Sequence, residues 1–248
     1  MKKLKLLTTL AAATTLASAL AATASADAVW NFSSMAGSST YGKSLGSSYA
    51  FTMGTQSIWA SALVPNGSGA WALSGGESGC NSALTTTPCL YNKYTANTPS
   101  ETGLGLVPNN NGEIFYPNGI GLTASKNTVI SGIDIGSVQS GESWQLQGCS
   151  MDFTGCMTLS HGVGPSAGST VTFSNLWKNP WAAYVIDVPC KDLSSCMTST
   201  GGTTTTDSPN NIVLMSATTV PEPATLGLLG IGLAGVAFVT RRRKSQDT

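Results

Sequence analysis

Between residues 27 and 219, apolar and β-branched residues gather in short runs separated by turn-formers. The runs are Ala28–Phe32, Ser57–Leu63, Ala70–Leu73, Leu104–Val107, Glu113–Tyr116, Thr128–Ile135, Ser143–Gln147, Met157–Leu159, Thr170–Phe173, Ala182–Val188 and Ile212–Ser216. Pro65-Asn66-Gly67, Asn111-Gly112, Pro117-Asn118-Gly119 and Gly201-Gly202 punctuate them, as turns between strands do. In Ser143–Gln147 the apolar Trp144 and Leu146 fall on one face and Ser143, Gln145 and Gln147 on the other, the period of a half-buried strand. No stretch of the body keeps an apolar period of 3.6 long enough for a substantial helix. Strands and turns at a spacing of roughly 8–12 residues predict an all-β fold, a single antiparallel β-sandwich of jelly-roll-like form. The Thr/Gly/Ser-rich segment Thr198–Ser208 reads as a loop before the last strand.

The two ends break this pattern. Met1-Lys2-Lys3-Leu4-Lys5 is basic, Leu6 to Leu20 is apolar and Thr/Ala-rich, and Ala24-Ser25-Ala26 is a small-residue cleavage site. Together they form a secretory signal peptide over residues 1–26, read by the Sec translocon and signal peptidase, with Ala24 and Ala26 defining the cut. At the other end, Val220-Pro221-Glu222-Pro223 precedes an uncharged, glycine-rich stretch, Ala224–Thr240, and the basic cluster Arg241-Arg242-Arg243-Lys244. The prolines can neither continue a helix nor donate to a sheet ladder. At ~1.5 Å per residue the apolar stretch spans about 25 Å as a transmembrane helix, the short limit for a hydrocarbon core. The basic cluster marks its cytoplasmic end and leaves the body, residues 27–219, on the far side of the inner membrane.

Residues 220–244 resemble the PEP-CTERM sorting signal of exopolysaccharide-producing Gram-negative bacteria. Pro221, Glu222 and Pro223 match its signature, the glycine-rich helix its membrane segment, and Arg241, Arg242, Arg243 and Lys244 its terminal cluster. The resemblance implies recognition by the membrane protease exosortase, transient anchoring, a cut near the Pro-Glu-Pro motif, and delivery to the outer surface or extracellular matrix. An ordinary C-terminal anchor is the plain alternative. The runs Gly103–Leu106, Gly112–Ile114, Gly132–Gly136 and Gly141–Trp144 look loosely like the small β-rich bodies that carry this tail; that likeness implies a fold without an activity.

Charge changes the picture once the ends are set aside. The whole chain is neutral, with 12 basic and 12 acidic residues. Three of the bases lie in the leader and four in the tail, leaving five; ten of the acids stay in the body, which is therefore near −5. A sparse, slightly acidic surface excludes nucleic acid as a partner. The six cysteines form three close neighbours, Cys80 with Cys89, Cys149 with Cys156 and Cys190 with Cys196. In an oxidising compartment they read as local disulfides, among fifteen connectivities. The second would brace the loop between the Trp144 and Met157 strands. With no Cys-x-x-Cys and His161 as the sole histidine, the spacing is wrong for zinc, and neither metal nor cofactor is expected.

Two catalytic motifs match by letter alone. Gly37–Ser44 fits G-x-x-x-x-G-K-[ST], but Leu45-Gly46-Ser47-Ser48-Tyr49 makes a poor helix for a phosphate-binding loop. Gly42-Lys43-Ser44-Leu45-Gly46 reads as a nucleophile elbow, yet needs His161 and a strand-turn-helix setting. Glu77, Glu101, Glu113, Asp134, Glu142, Asp152, Asp187 and Asp192 carry no glycosidase signature, since such pairing is spatial. Asn109–Glu113 could supply oxygen ligands for calcium, but reads rather as a turn whose Asn and Gly residues tolerate positive φ. Trp177-Lys178-Asn179-Pro180-Trp181 places two indoles on a loop, where Trp177 and Trp181 could stack on a sugar face or cover a core edge. The sequence therefore predicts a non-catalytic exported protein associated with exopolysaccharide. Two alternatives are a carbohydrate-active enzyme, with two carboxylates facing across a cleft, and a carbohydrate- or ice-binding module; no regular Thr-x-Thr repeat favours ice.

Overall fold

The computed structural model describes residues 27–67, 69–75, 87–107, 112–126, 128–164, 168–189 and 211–221. Ala28–Thr219 forms one compact unit. Its strands, in chain order, are β1 (Ala28–Asn31), β2 (Ser44–Gly46), β3 (Ser48–Met53), β4 (Gln56–Pro65), β5 (Trp71–Leu73), β6 (Cys89–Lys93), β7 (Gly103–Val107) and β8 (Ile114–Phe115), then β9 (Gly119–Ala124), β10 (Thr128–Val138), β11 (Ser143–Cys149), β12 (Met157–Val163), β13 (Ser169–Phe173), β14 (Ala183–Asp187) and β15 (Asn211–Pro221). A five-residue helix, α1 (Phe32–Ala36), follows β1, its start capped by the Asn31 side chain accepting from the Ser34 amide.

The strands make two antiparallel sheets. One runs β13-β10-β15-β7-β6-β2, with β1 and β8 also pairing to β15; the other runs β12-β11-β14-β9-β4-β3, with β5 on β4. A single core lies between them. Leu90, Leu104, Leu106, Ile133, Ile135 and Leu214 come from the first sheet, and Ile58, Ile120, Leu122, Leu146 and Ile186 from the second. Side chains alternate across a strand, so Ala183 and Val185 of β14 point away from that core. They pack instead with Leu63, Trp71, Cys149 and Phe153 in a second cluster. The loop that carries Phe153 is closed by the Cys149–Cys156 disulfide, as the spacing predicted. It is fastened to β5 by the Trp71 amide donating to the Phe153 carbonyl at 3.0 Å.

All eleven predicted runs coincide with strands, and four strands went unread: β2, β3, β6 and β9. β9, Gly-Ile-Gly-Leu-Thr-Ala, shows why. Gly121 lies beneath the Phe153 ring, and a Cβ there would stand 2.4 Å from a ring carbon. Glycine weakens a strand taken alone, but here it makes room for an aromatic cover. Gly148 under the Trp181 ring and Gly162 under Trp144 repeat the device. β6 was hidden differently: its Asn92 is fully buried and its Lys93 nearly so, a polar signature that only the folded environment explains.

Candidate functional site

The chain reaches its tail through the sheet. β15 lies between β10 and β7, and its last turns of ladder pair with β1 in the register Asn31↔Ser216, Trp30↔Ala217, Val29↔Thr218 and Ala28↔Thr219. From β10, the Ser131 hydroxyl donates to the Thr218 carbonyl at 3.1 Å, and Asp134 accepts from the Ser216 hydroxyl at 2.6 Å. Trp30 and Thr219 are wholly buried, and the indole N–H donates to the Thr219 hydroxyl at 2.8 Å. β15 ends only at Pro221, so the first proline of the Pro-Glu-Pro signature closes a core strand. Its lack of an N–H is tolerated at a strand terminus. Glu222, Pro223, the Ala224–Thr240 segment and Arg241–Lys244 lie outside the described residues, as do Ala24 and Ala26. Among the described residues no helix is long and apolar enough to cross a membrane.

Residues 219–244 match the family model of the PEP-CTERM protein-sorting motif. The tail is a PEP-CTERM sorting motif. The match takes in Pro221-Glu222-Pro223 and Arg241–Lys244 and begins at a residue of the folded core. It implies exosortase processing of an exported chain that is anchored and then cleaved. No curated protein matches the chain.

A second polar assembly sits in the body. Lys93 at the end of β6 places its ammonium 2.6 Å from Glu113 and 4.0 Å from Glu101. A bulge in β10, where the register shifts between Ile135 and Val138, holds Ser137 at φ 58° and aims its hydroxyl at the same Glu113 oxygen. Nearby Glu142 accepts from the Gln139 amide at 2.6 Å and from the Asn211 amide at 3.3 Å, tying the β10–β11 turn to the start of β15. Burial pushes its carboxyl up to about 7; the two amide bonds oppose this, and the charge of Glu113 adds to it. Asp187 on β14 is likewise pushed up to about 7 by burial, against one hydrogen bond from Gln147. Gln147 in turn accepts from the Trp71 indole at 3.2 Å.

Carboxyl groups that titrate near neutrality resemble general acids. Glu113, Glu142 and Asp187 are, however, 4%, 2% and 4% exposed, and each accepts at least one hydrogen bond from a neighbouring protein group. Both raised groups set a pH dependence of stability. Their ordinary values are 4.5 for Glu142 and 3.8 for Asp187, so across the interval up to about 7 the folded chain holds protons that the unfolded chain releases. Their contribution is complete below the ordinary values and is lost as pH rises through 7. The denaturation midpoint in urea should therefore fall between pH 5 and pH 8, by an amount on the order of a few kcal/mol in unfolding free energy. Asp187→Asn should flatten that slope. A midpoint that rises over the same interval would contradict the assignment.

The remaining candidates are scattered. Ser44 is on β2, next in chain to β3 at one end of the sheets, whereas His161 is exposed on β12, the strand at the opposite edge from β3, so no nucleophile–base pair forms. The G-x-x-x-x-G-K-S run leads into strand β2 rather than a helix, and the Gly42 amide donates to the Asn92 carbonyl. Trp177, 47% exposed, stands on the short 3-10 turn Leu176–Lys178 with the Lys178 ammonium 5.8 Å from its ring centre. Trp181 packs over Gly148 at the core edge, so the two indoles do not make one open platform. Asp152 caps its loop through Thr154, whose amide and hydroxyl bonds hold its carboxyl below the usual range. Cys89 is disulfide-bonded; Cys80, Cys190 and Cys196 lie outside the described residues, as do Glu77, Asp192 and Asn109–Asn111. Among the described residues no group of three His, Cys, Asp or Glu could hold a metal. Sequence reasoning missed Lys93, Ser137, Gln147 and the Trp30–Thr219 bond, because each gains its meaning from a partner remote in sequence.

Proposed function

We propose that this protein is a non-catalytic, exported β-sandwich which exosortase delivers to the cell surface or extracellular matrix, where it associates with exopolysaccharide. The observation that carries the reading is the sorting motif at residues 219–244, contiguous with the last strand of the folded body. The body crosses the inner membrane through the Sec translocon, loses residues 1–26 to signal peptidase, and waits on the tail helix until the tail is cut. The basic cluster Arg241–Lys244 stays on the cytoplasmic side because charged groups enter lipid at high cost. Three features support a binding role without catalysis. The buried carboxylates accept structural hydrogen bonds, the chain is rich in hydroxyls and amides, and exposed rings such as Trp59 and Trp177 offer planar faces for sugars.

Replacing Arg241, Arg242, Arg243 and Lys244 together by neutral residues tests the sorting mechanism. Released, trimmed protein is expected to fall at least about tenfold, with uncut chain accumulating or its tail inverted, as weakening of the positive-inside signal dictates. Immunoblots of membrane and medium fractions report it. Unchanged processing would defeat the orientation role of the cluster.

A further inference from the structure

We infer that Tyr41 and Tyr94 form a preorganised stacking platform that takes a pyranose ring of the polysaccharide. The inference deepens the exopolysaccharide reading above, on which it rests, by naming the site. β2 is the end strand of its sheet and pairs antiparallel with β6 through Ser44↔Tyr91. Beyond that pair the two backbones stay together. The Asn92 amide donates to the Lys43 carbonyl at 3.0 Å, and the Gly42 amide to the Asn92 carbonyl at 2.9 Å. Carried outward in the same register, the pairing sets Tyr41 opposite Tyr94. Their rings are parallel to within 4°, with centres 4.0 Å apart. Aromatic pairs left to themselves prefer offset or edge-on contacts at roughly 4.5–7 Å. The two backbones, and not the rings, therefore dictate this arrangement.

Both backbones are fixed. The fully buried Asn92 donates its side-chain amide to the Thr40 hydroxyl at 2.8 Å and to the Ser33 carbonyl at 3.3 Å. Thr40 passes the hold on, its hydroxyl donating to the Gly37 carbonyl at 2.8 Å. Asn92 thus grips Thr40 and Gly42, the residues on either side of Tyr41, and this is what the Gly37–Ser44 run does in the fold. On the other strand, Tyr94 leads into a turn closed on itself. The Thr95 amide donates to the Thr102 hydroxyl at 3.1 Å, and that hydroxyl donates back to the Thr95 carbonyl at 3.2 Å. Tyr41 is half-buried and covers one face of Tyr94, which is still 50% exposed. The segment that follows, Thr95-Ala96-Asn97-Thr98-Pro99-Ser100, is uncharged and rich in hydroxyl and amide groups, with Asn97 and Thr98 exposed. A pyranose is the complement of such a surface. Its C–H face lies flat on an aromatic ring, and its hydroxyl rim exchanges hydrogen bonds with hydroxyls and amides. Because the rings are already held, little ordering is lost on binding.

The test is affinity gel electrophoresis of the protein purified from its native host, in gels containing exopolysaccharide purified from the same host. The wild type should be retarded. Tyr94→Ala should weaken the interaction about fivefold or more, the scale of one aromatic contact. Tyr94→Phe, which keeps the ring, and Trp177→Ala, outside the platform, should bind as the wild type does. Unchanged binding by Tyr94→Ala, or a loss confined to Trp177→Ala, would overturn this inference and leave the exopolysaccharide reading standing. If Tyr94→Ala lowers the melting transition, the wild type decides by the ring-proton shifts of Tyr41 and Tyr94 on titration with oligosaccharides cut from that polysaccharide. Shifts at both rings support the platform, and unmoved rings overturn it. A wild type that runs unretarded would instead defeat the exopolysaccharide reading itself, and this inference with it, while the sorting motif stands.

Discussion

Lys93→Met should destabilise the body by ~3–5 kcal/mol, the usual result of removing one partner from a buried ion pair. The Lys93 and Glu113 side chains are 14% and 5% exposed, and their charged atoms are 2.6 Å apart. Without the ammonium, Glu113 keeps only the Ser137 hydroxyl, with the Glu142 carboxyl close by to add repulsion. A buried charge without a counter-charge costs far more than the pair itself contributes. The double variant Lys93→Met with Glu113→Gln should therefore recover much of the loss, because it removes the orphaned charge. Urea denaturation of the four chains of this cycle measures it. A single-variant loss below about 1 kcal/mol, the range of exposed pairs, would show that the cluster is solvated and that its enclosure has been misread.

Gly121→Ala is the second large effect. In an ordinary strand, alanine for glycine stabilises by roughly 0.5–1 kcal/mol, since glycine loses the most conformational freedom on folding. Here the sign should reverse. The added methyl would stand 2.4 and 2.6 Å from two Phe153 ring carbons and 2.8 Å from Leu63 Cδ1. β9 is paired on both sides, to β4 and β14, and Phe153 is carried by a disulfide-closed loop, so neither surface can retreat freely. Overpacking of this kind costs about 1–3 kcal/mol. Phe153→Ala in the same chain should remove the clash, making the two substitutions strongly non-additive. Additive losses would mean that the ring does not rest on Gly121.

These cases show what the sequence could and could not reveal. The period-two run Ser143–Gln147 and the β-branched run Thr128–Ile135 declare themselves because each strand's own side chains carry the signal. β9 stays silent because its glycines are half of a contact whose other half, Phe153, lies over 30 residues away. β6 is silent because a buried asparagine and lysine look like a loop until Thr40, Ser33 and Glu113 are brought to them. The Cys149–Cys156 bridge was legible from spacing alone, as was the tail, whose prolines, apolar stretch and arginines are contiguous. The Lys93–Glu113–Glu142 assembly was not, since its members come from three separate parts of the chain. Nor did the sequence tell that the sorting motif starts inside the core: the last predicted run stops at Ser216, whereas β15 continues through Thr219, against which Trp30 is placed.

The central claim is that the tail is a processing signal and not a permanent anchor. Intact mass and location of the protein in its native host, with and without exosortase, test it most directly. The account predicts a surface or matrix product lacking residues 1–26 and the tail when the protease is present, and membrane-bound protein with the tail intact when it is absent. Full-length tail held in the membrane of both strains would contradict it.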